Sequence, residues 1–191
     1  MKLKKLSAIL GLLSMVTLLV HIGYTAYSYL MFFYNPGLKL LTSIPFMILT
    51  CLHAICGMAI VFLQSDGTRL DLYPKQNIRT ILQRITAALI FPMLILHINS
   101  FDLLRSSATN KRWLSFSLLM LTQPLFYGVV LTHIAVSLTR AMITLGWISS
   151  REKQRAIDRI VLIAGAVIFL IASFAVLRGL LSMFLPKGGA P

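Results

Sequence analysis

Five long runs of apolar residues, separated by short basic segments, constrain this chain more than any other feature. They cover residues 6–33, 41–64, 78–98, 113–148 and 160–181. A run of about 18 or more apolar residues reads as a helix that crosses a bilayer. No alternating polar–apolar pattern appears, so membrane strands are not expected. The chain has 191 residues, of which 58% are hydrophobic and 12% charged. A soluble domain carries roughly 45–50% apolar and about 25% charged residues. The expected fold is therefore an all-α membrane protein of five transmembrane helices, forming a single domain over residues 1–191.

Net charge is +13. On a soluble protein this would point to nucleic acid. Here the cations fall in short connections, where they set topology and meet lipid head groups or acidic partners. With the N-terminus inside, Lys2, Lys4, Lys5, Arg69, Lys75, Arg79, Arg84, Arg140, Arg151, Lys153, Arg155 and Arg159 lie on the inner side. Only Lys39, Arg105, Lys111, Arg112, Arg178 and Lys187 lie outside. The excess of inner cations places the N-terminus in the cytoplasm and the C-terminus outside the cell (inner) membrane. Trp113 and Trp147 then mark the two interfaces of the fourth span. The first span imitates a signal peptide, but its apolar stretch continues through His21 and Tyr24, so it reads as an uncleaved helix. Cys51 and Cys56 are wrongly spaced for a zinc or iron–sulfur site and read as packing residues.

The chain has four histidines, His21, His53, His97 and His133, one on each of the first four spans. An imidazole is expensive in hydrocarbon and is usually retained there for a site. The first and third spans run in the same direction, and His21 and His97 lie at similar depths, roughly 18–22 Å from the inner edge. The second and fourth spans run back, placing His53 and His133 deeper towards the cytoplasm. The natural pairs are His21 with His97 and His53 with His133. Each pair can grip one iron from opposite faces, so the first four helices are expected to form a haem-binding bundle. There is no CxxCH motif, which leaves non-covalent haem b, two per chain.

A weak internal repeat accompanies the pairing. Gly11 precedes His21 by ten residues, as Ala87 precedes His97; Gly57 follows His53 by four, as Ser137 follows His133. Small residues on a ligand helix admit a flat macrocycle or a neighbouring helix. Haem propionates need basic or hydrogen-bonding partners. Arg140, two turns beyond His133 on its face, is the best candidate for the inner haem, with Arg84 second. For the outer haem Ser28 is two turns beyond His21, with Lys39 and Arg105 nearby; a back-bond to its own helix is the competing role for Ser28, and interfacial anchoring for the two cations. The five acids, Asp66, Asp71, Asp102, Glu152 and Asp158, lie in or beside the connections, so a carboxylate relay across the membrane is not expected. Asp102, five residues past His97, is a candidate for proton exchange at the outer edge. Pro45, Pro92 and Pro124 should open or kink their helices.

Several stretches resemble the single-chain dihaem cytochrome b subunit of succinate:quinone oxidoreductases, shared by succinate dehydrogenases and fumarate reductases. They are Gln83-Arg84-Ile85-Thr86-Ala87 before His97, His133-Ile134-Ala135-Val136-Ser137, Leu145-Gly146-Trp147-Ile148-Ser149-Ser150, and Ala175-Val176-Leu177-Arg178. The likeness spans nearly the whole chain. It departs from the family where Ala87 and Ser137 stand for Gly, and where the aromatic–Gly order is reversed at Gly146-Trp147. The resemblance implies a distal haem on His21 and His97, a proximal haem on His53 and His133, and a membrane quinone, with menaquinone the family-level expectation. It also implies a flavoprotein subunit carrying FAD and an iron–sulfur subunit on the cytoplasmic face, with dicarboxylate chemistry in the flavoprotein. Two other readings stand beside it. A dihaem subunit of another oxidoreductase would tend to place two ligands on one helix. A haem-free transporter or anchor would be expected to show charges or broken helices within its spans.

The topology is checked by labelling intact cells with a membrane-impermeant thiol reagent. Lys111→Cys should label and Lys153→Cys should not; the reverse pattern inverts the orientation.

Overall fold

The computed structural model describes residues 2–63 and 74–184. Among them are five helices: α1 (Lys2–Met31), α2 (Pro36–Leu63), α3 (Pro74–Thr109), α4 (Trp113–Thr144) and α5 (Arg151–Phe184). No strand occurs among the described residues. Gln64, Asp66, Arg69, Asp71 and Lys187 lie outside them, and the side chain of Lys75 is not described. With no water to satisfy backbone groups in hydrocarbon, helix is the form that closes every N–H and C=O within its own segment. All five helices are long and apolar enough to cross a membrane. At 28 to 36 residues they run about 42–54 Å, more than the roughly 30 Å hydrocarbon layer, so their ends project into the interfaces.

The helices are longer than the apolar runs because polar residues at the ends continue the spiral. α3 extends through Asp102 to Thr109, so Asp102 lies on an exposed helical face and not in a connection. Glu152 and Asp158 likewise belong to the first turns of α5. α4 ends at Thr144, short of the apolar run, because Gly146 adopts φ 82°. That turn lets the N–H of Trp147 donate to the carbonyl of Met142 and the N–H of Gly146 to that of Ile143, closing the helix end. Lys111 closes α3 in the same way with φ 55°. α2, α3 and α4 continue unbroken through Pro45, Pro92 and Pro124. Cys51 faces outward rather than packing inside, and Cys56 is half-buried.

Packing follows two hairpins and a brace. α1 packs on α2, α3 packs on α4, and α5 lies against α4 and α1. The first hairpin is pinned at its tip. Asn35 caps α2, its side-chain oxygen accepting from the N–H of Leu38. The hydroxyl of Tyr24 donates to the carbonyl of Asn35 and accepts from its N–H. α5 meets α1 at Gly179, where an added Cβ would collide with the ring of Tyr29, so the glycine sets how closely the two helices approach. At the end of the bundle where α3 stops and α4 begins, Leu104, Phe116, Val176 and Leu180 form the apolar core. α2 is different: it has no buried residue, and among the described residues its close packing is against α1.

One polar knot ties three helices at the end of the bundle where α3 and α5 begin. The guanidinium of Arg79 donates through Nη1 and Nη2 to both carboxylate oxygens of Asp158, at 2.8 and 2.7 Å. Its Nε donates to the carbonyl of Val136 at 2.8 Å, and Nη2 also reaches the carbonyl of Ala135. Thr139, fully buried, accepts from Arg79 and donates to Asp158. A bidentate, charge-assisted pair of this kind fixes direction as well as distance. Replacing Arg79 by Leu removes hydrogen bonds to charged groups worth about 1.5–3 kcal/mol each. The thermal midpoint of the detergent-solubilised protein should fall clearly, while Arg151→Leu, on an exposed side chain, should leave it in place.

Candidate functional site

The four histidines sort into two levels along the bundle. His53 and His133 line one cleft in the half of the bundle where α1 and α3 begin, and their imidazoles lie within electrostatic range of each other. His21 and His97 stand in the other half and are likewise electrostatic neighbours. From Gly11, which touches His53, to His21 is ten residues of α1, or about 15 Å.

Three of the rings are held in the same manner. His53 donates its Nδ1–H to the carbonyl of Ser7 on α1 at 2.8 Å. His133 donates its Nδ1–H to the carbonyl of Gln83 on α3 at 3.2 Å. The hydroxyl of Thr86, which itself donates to the Leu82 carbonyl, lies 3.1 Å from the same nitrogen. His97 donates its Nδ1–H to Oε1 of Gln123 on α4 at 2.7 Å. An acceptor at Nδ1 fixes the tautomer: the proton sits on Nδ1, and Nε2 presents its lone pair. Metal-ligating histidines almost always have such a partner on the far nitrogen. His21 differs, since its Nδ1 is buried and makes no hydrogen bond. Its ring stacks on Phe46 with centroids 6.0 Å apart.

The cleft at His53 and His133 is lined by α1, α2, α3 and α4, with Gly11, Met15, Leu18, Ile90, Leu94 and Val130 among its apolar walls. It holds about 550 Å³ of non-atom space, counting its open side. Its enclosed part is small, and α2, which forms one of its walls, has no buried residue. A Cβ on Gly11 would sit 3.0 Å from Cε1 of His53, so the glycine admits the ring. Gly57, one turn past His53, faces open space: an added Cβ would meet nothing within 4 Å. Among the described residues no group of three or more His, Cys, Asp or Glu converges on one point. A bare metal ion would need such a group. A macrocycle that brings four ligands of its own needs two imidazoles, and the residues present fit that group.

The other candidates fall as follows. Arg140 is half-buried and reaches across to α3, donating to Oε1 of Gln83 at 2.9 Å and to the hydroxyl of Thr80. Arg84 is half-buried and engaged in interactions of its own. Ser28 makes no back-bond to its helix; its hydroxyl is buried without a partner on the α1 that carries His21. Ser137 does bond back, donating to the carbonyl of His133 at 2.5 Å. Lys39 is exposed and sits over the ring of Tyr34 at 6.0 Å, the behaviour of an interfacial anchor. Arg105 and Asp102 are both exposed.

Sequence reasoning missed the acceptors. Gln123 carried a visible signal, a carboxamide inside an apolar run one residue before Pro124. The carbonyls of Ser7 and Gln83 carried none, since every residue has a carbonyl. Compared with protein-family models, curated proteins and solved structures, the chain matches none.

Proposed function

We propose that this chain is a dihaem cytochrome b, serving as membrane anchor and electron-transfer subunit of a complex of the succinate dehydrogenase/fumarate reductase type. The observation that carries the reading is the set of Nδ1 hydrogen bonds on His53, His97 and His133, which leave Nε2 free to ligate. Haem held between two imidazoles supplies reversible one-electron chemistry at its iron. His53 and His133 hold the inner, proximal haem, and His21 and His97 the outer, distal one. Arg140, already extended along α3 by Gln83 and Thr80, offers a guanidinium to the inner propionates. Arg84 supports it from α3. The unpartnered hydroxyl of Ser28 offers a hydrogen bond on the outer side. The apolar walls of the cleft exclude water around His53 and His133.

The resemblance in sequence supplies the particular partners. An iron–sulfur subunit and an FAD flavoprotein dock on the cytoplasmic side, where Lys2, Lys4, Lys5, Arg151, Lys153, Arg155 and Arg159 are all exposed. Such a basic surface steers an acidic partner into place. Electrons pass between that partner and a membrane quinone, menaquinone by family likeness, at the level of the two haems. Succinate or fumarate reacts in the flavoprotein.

Purified protein should show a reduced-minus-oxidised spectrum of haem b, and a pyridine haemochrome assay should count two per chain. His53→Ala or His133→Ala should leave one. Gly11→Leu, which drives the His53 ring aside, should weaken the same haem by about 10–100-fold in affinity. A colourless protein from a host that makes haem overturns the reading.

A further inference from the structure

The two hairpins share a set of contacts at matching offsets from their histidines. In α1 the carbonyl fourteen residues before His21, that of Ser7, accepts from His53; in α3 the carbonyl fourteen before His97, that of Gln83, accepts from His133. In α2 the ring seven before His53, Phe46, lies against His21; in α4 the ring seven before His133, Phe126, lies 4.9 Å from His97. Leu18 and Leu94, each three before the outer histidine, line the same cleft. The matched contacts fall at the same offsets from the histidines in both hairpins, although α4 also packs on α1 and α5 and α2 packs closely on α1. His21 and His97 therefore hold corresponding positions in the two hairpins, and so do His53 and His133.

One equivalence fails. Ten residues before His133 stands Gln123, only 2% exposed, whose Oε1 accepts the Nδ1–H of His97. Ten before His53 stands Ser43. Its hydroxyl is shorter than a carboxamide and donates instead to the Lys39 carbonyl at 2.8 Å. His21 is accordingly the ring whose Nδ1 is buried without a partner.

We infer that α1–α2 and α3–α4 are two copies of one imidazole-presenting hairpin, and that Gln123 is a positioning residue that makes the outer pair unequal. This rests on the dihaem reading. His97 is the fixed and more basic ligand, because an acceptor on the far nitrogen raises the donor strength of the near one. His21 is oriented by ring stacking alone and is the weaker ligand. A more basic ligand favours the ferric state, so Gln123 holds the outer midpoint potential down.

The test is a redox titration of the purified full-length protein, reading each haem's midpoint potential. The outer haem is assigned as the one that survives His133→Ala. Gln123→Leu should raise the outer midpoint and loosen that haem by about 10–100-fold, with the inner midpoint unmoved. Gln123→Glu, which keeps an acceptor, should restore retention and lower the midpoint. Ser43→Gln, which supplies the missing acceptor to His21, should lower the outer midpoint from the other side of the pair. An unmoved outer midpoint in Ser43→Gln, or in a Gln123→Leu protein that keeps both haems, overturns the inference and leaves the dihaem reading standing. Wild-type protein without haem gives no midpoint and overturns that reading instead.

Discussion

In hydrocarbon a buried N–H without an acceptor costs several kcal/mol. That cost organises this bundle. Each helix satisfies its own backbone, but an imidazole brings a further N–H that its helix cannot absorb. For His53 and His133 the acceptor is a carbonyl on the preceding helix of the same hairpin, and for His97 it is a carboxamide on the following one. The hydrogen bonds therefore set the register of α1 against α2 and of α3 against α4. They also decide which nitrogen is left over for chemistry.

The rest of the architecture serves that arrangement. α5 carries no histidine. It braces the two hairpins, through Gly179 against α1 and through the Arg79–Asp158–Thr139 knot against α3 and α4. The knot grips the carbonyls of Ala135 and Val136, two and three residues past His133. A helix held there by a neighbouring guanidinium cannot rotate its histidine away from the cleft. α2 takes no part in that knot; it lines the cleft with His53 and packs closely on α1.

The five helices and their order were legible because span length and hydropathy are read directly from residue type. The helix ends were not, since polar residues continue the helix at the interfaces and local turns, such as the positive φ of Gly146, stop it early. The histidine levels were legible from counting along antiparallel spans, because rise per residue is constant. Their ring partners were not, because a carbonyl acceptor leaves no mark in the sequence. Arg79 and Asp158 looked like ordinary interfacial charges. Their pairing depends on α3 and α5 approaching α4 at one level, a tertiary fact beyond any single span.

The internal repeat shows how a weak sequence signal becomes firm in three dimensions. Gly11 and Ala87, each ten before an outer histidine, are by themselves ordinary small-residue packing. The carbonyls fourteen before, the aromatic rings seven before and the leucines three before convert that spacing into a repeated set of contacts. Backbone carbonyls repeat without any sequence constraint, whereas Gln123 and Ser43 are side chains and so are free to diverge. Divergence confined to the side-chain acceptor is what makes two equivalent sites chemically distinct while leaving the shared scaffold unchanged. Two hairpins that share their backbone contacts can become unequal only through positions that the backbone does not dictate.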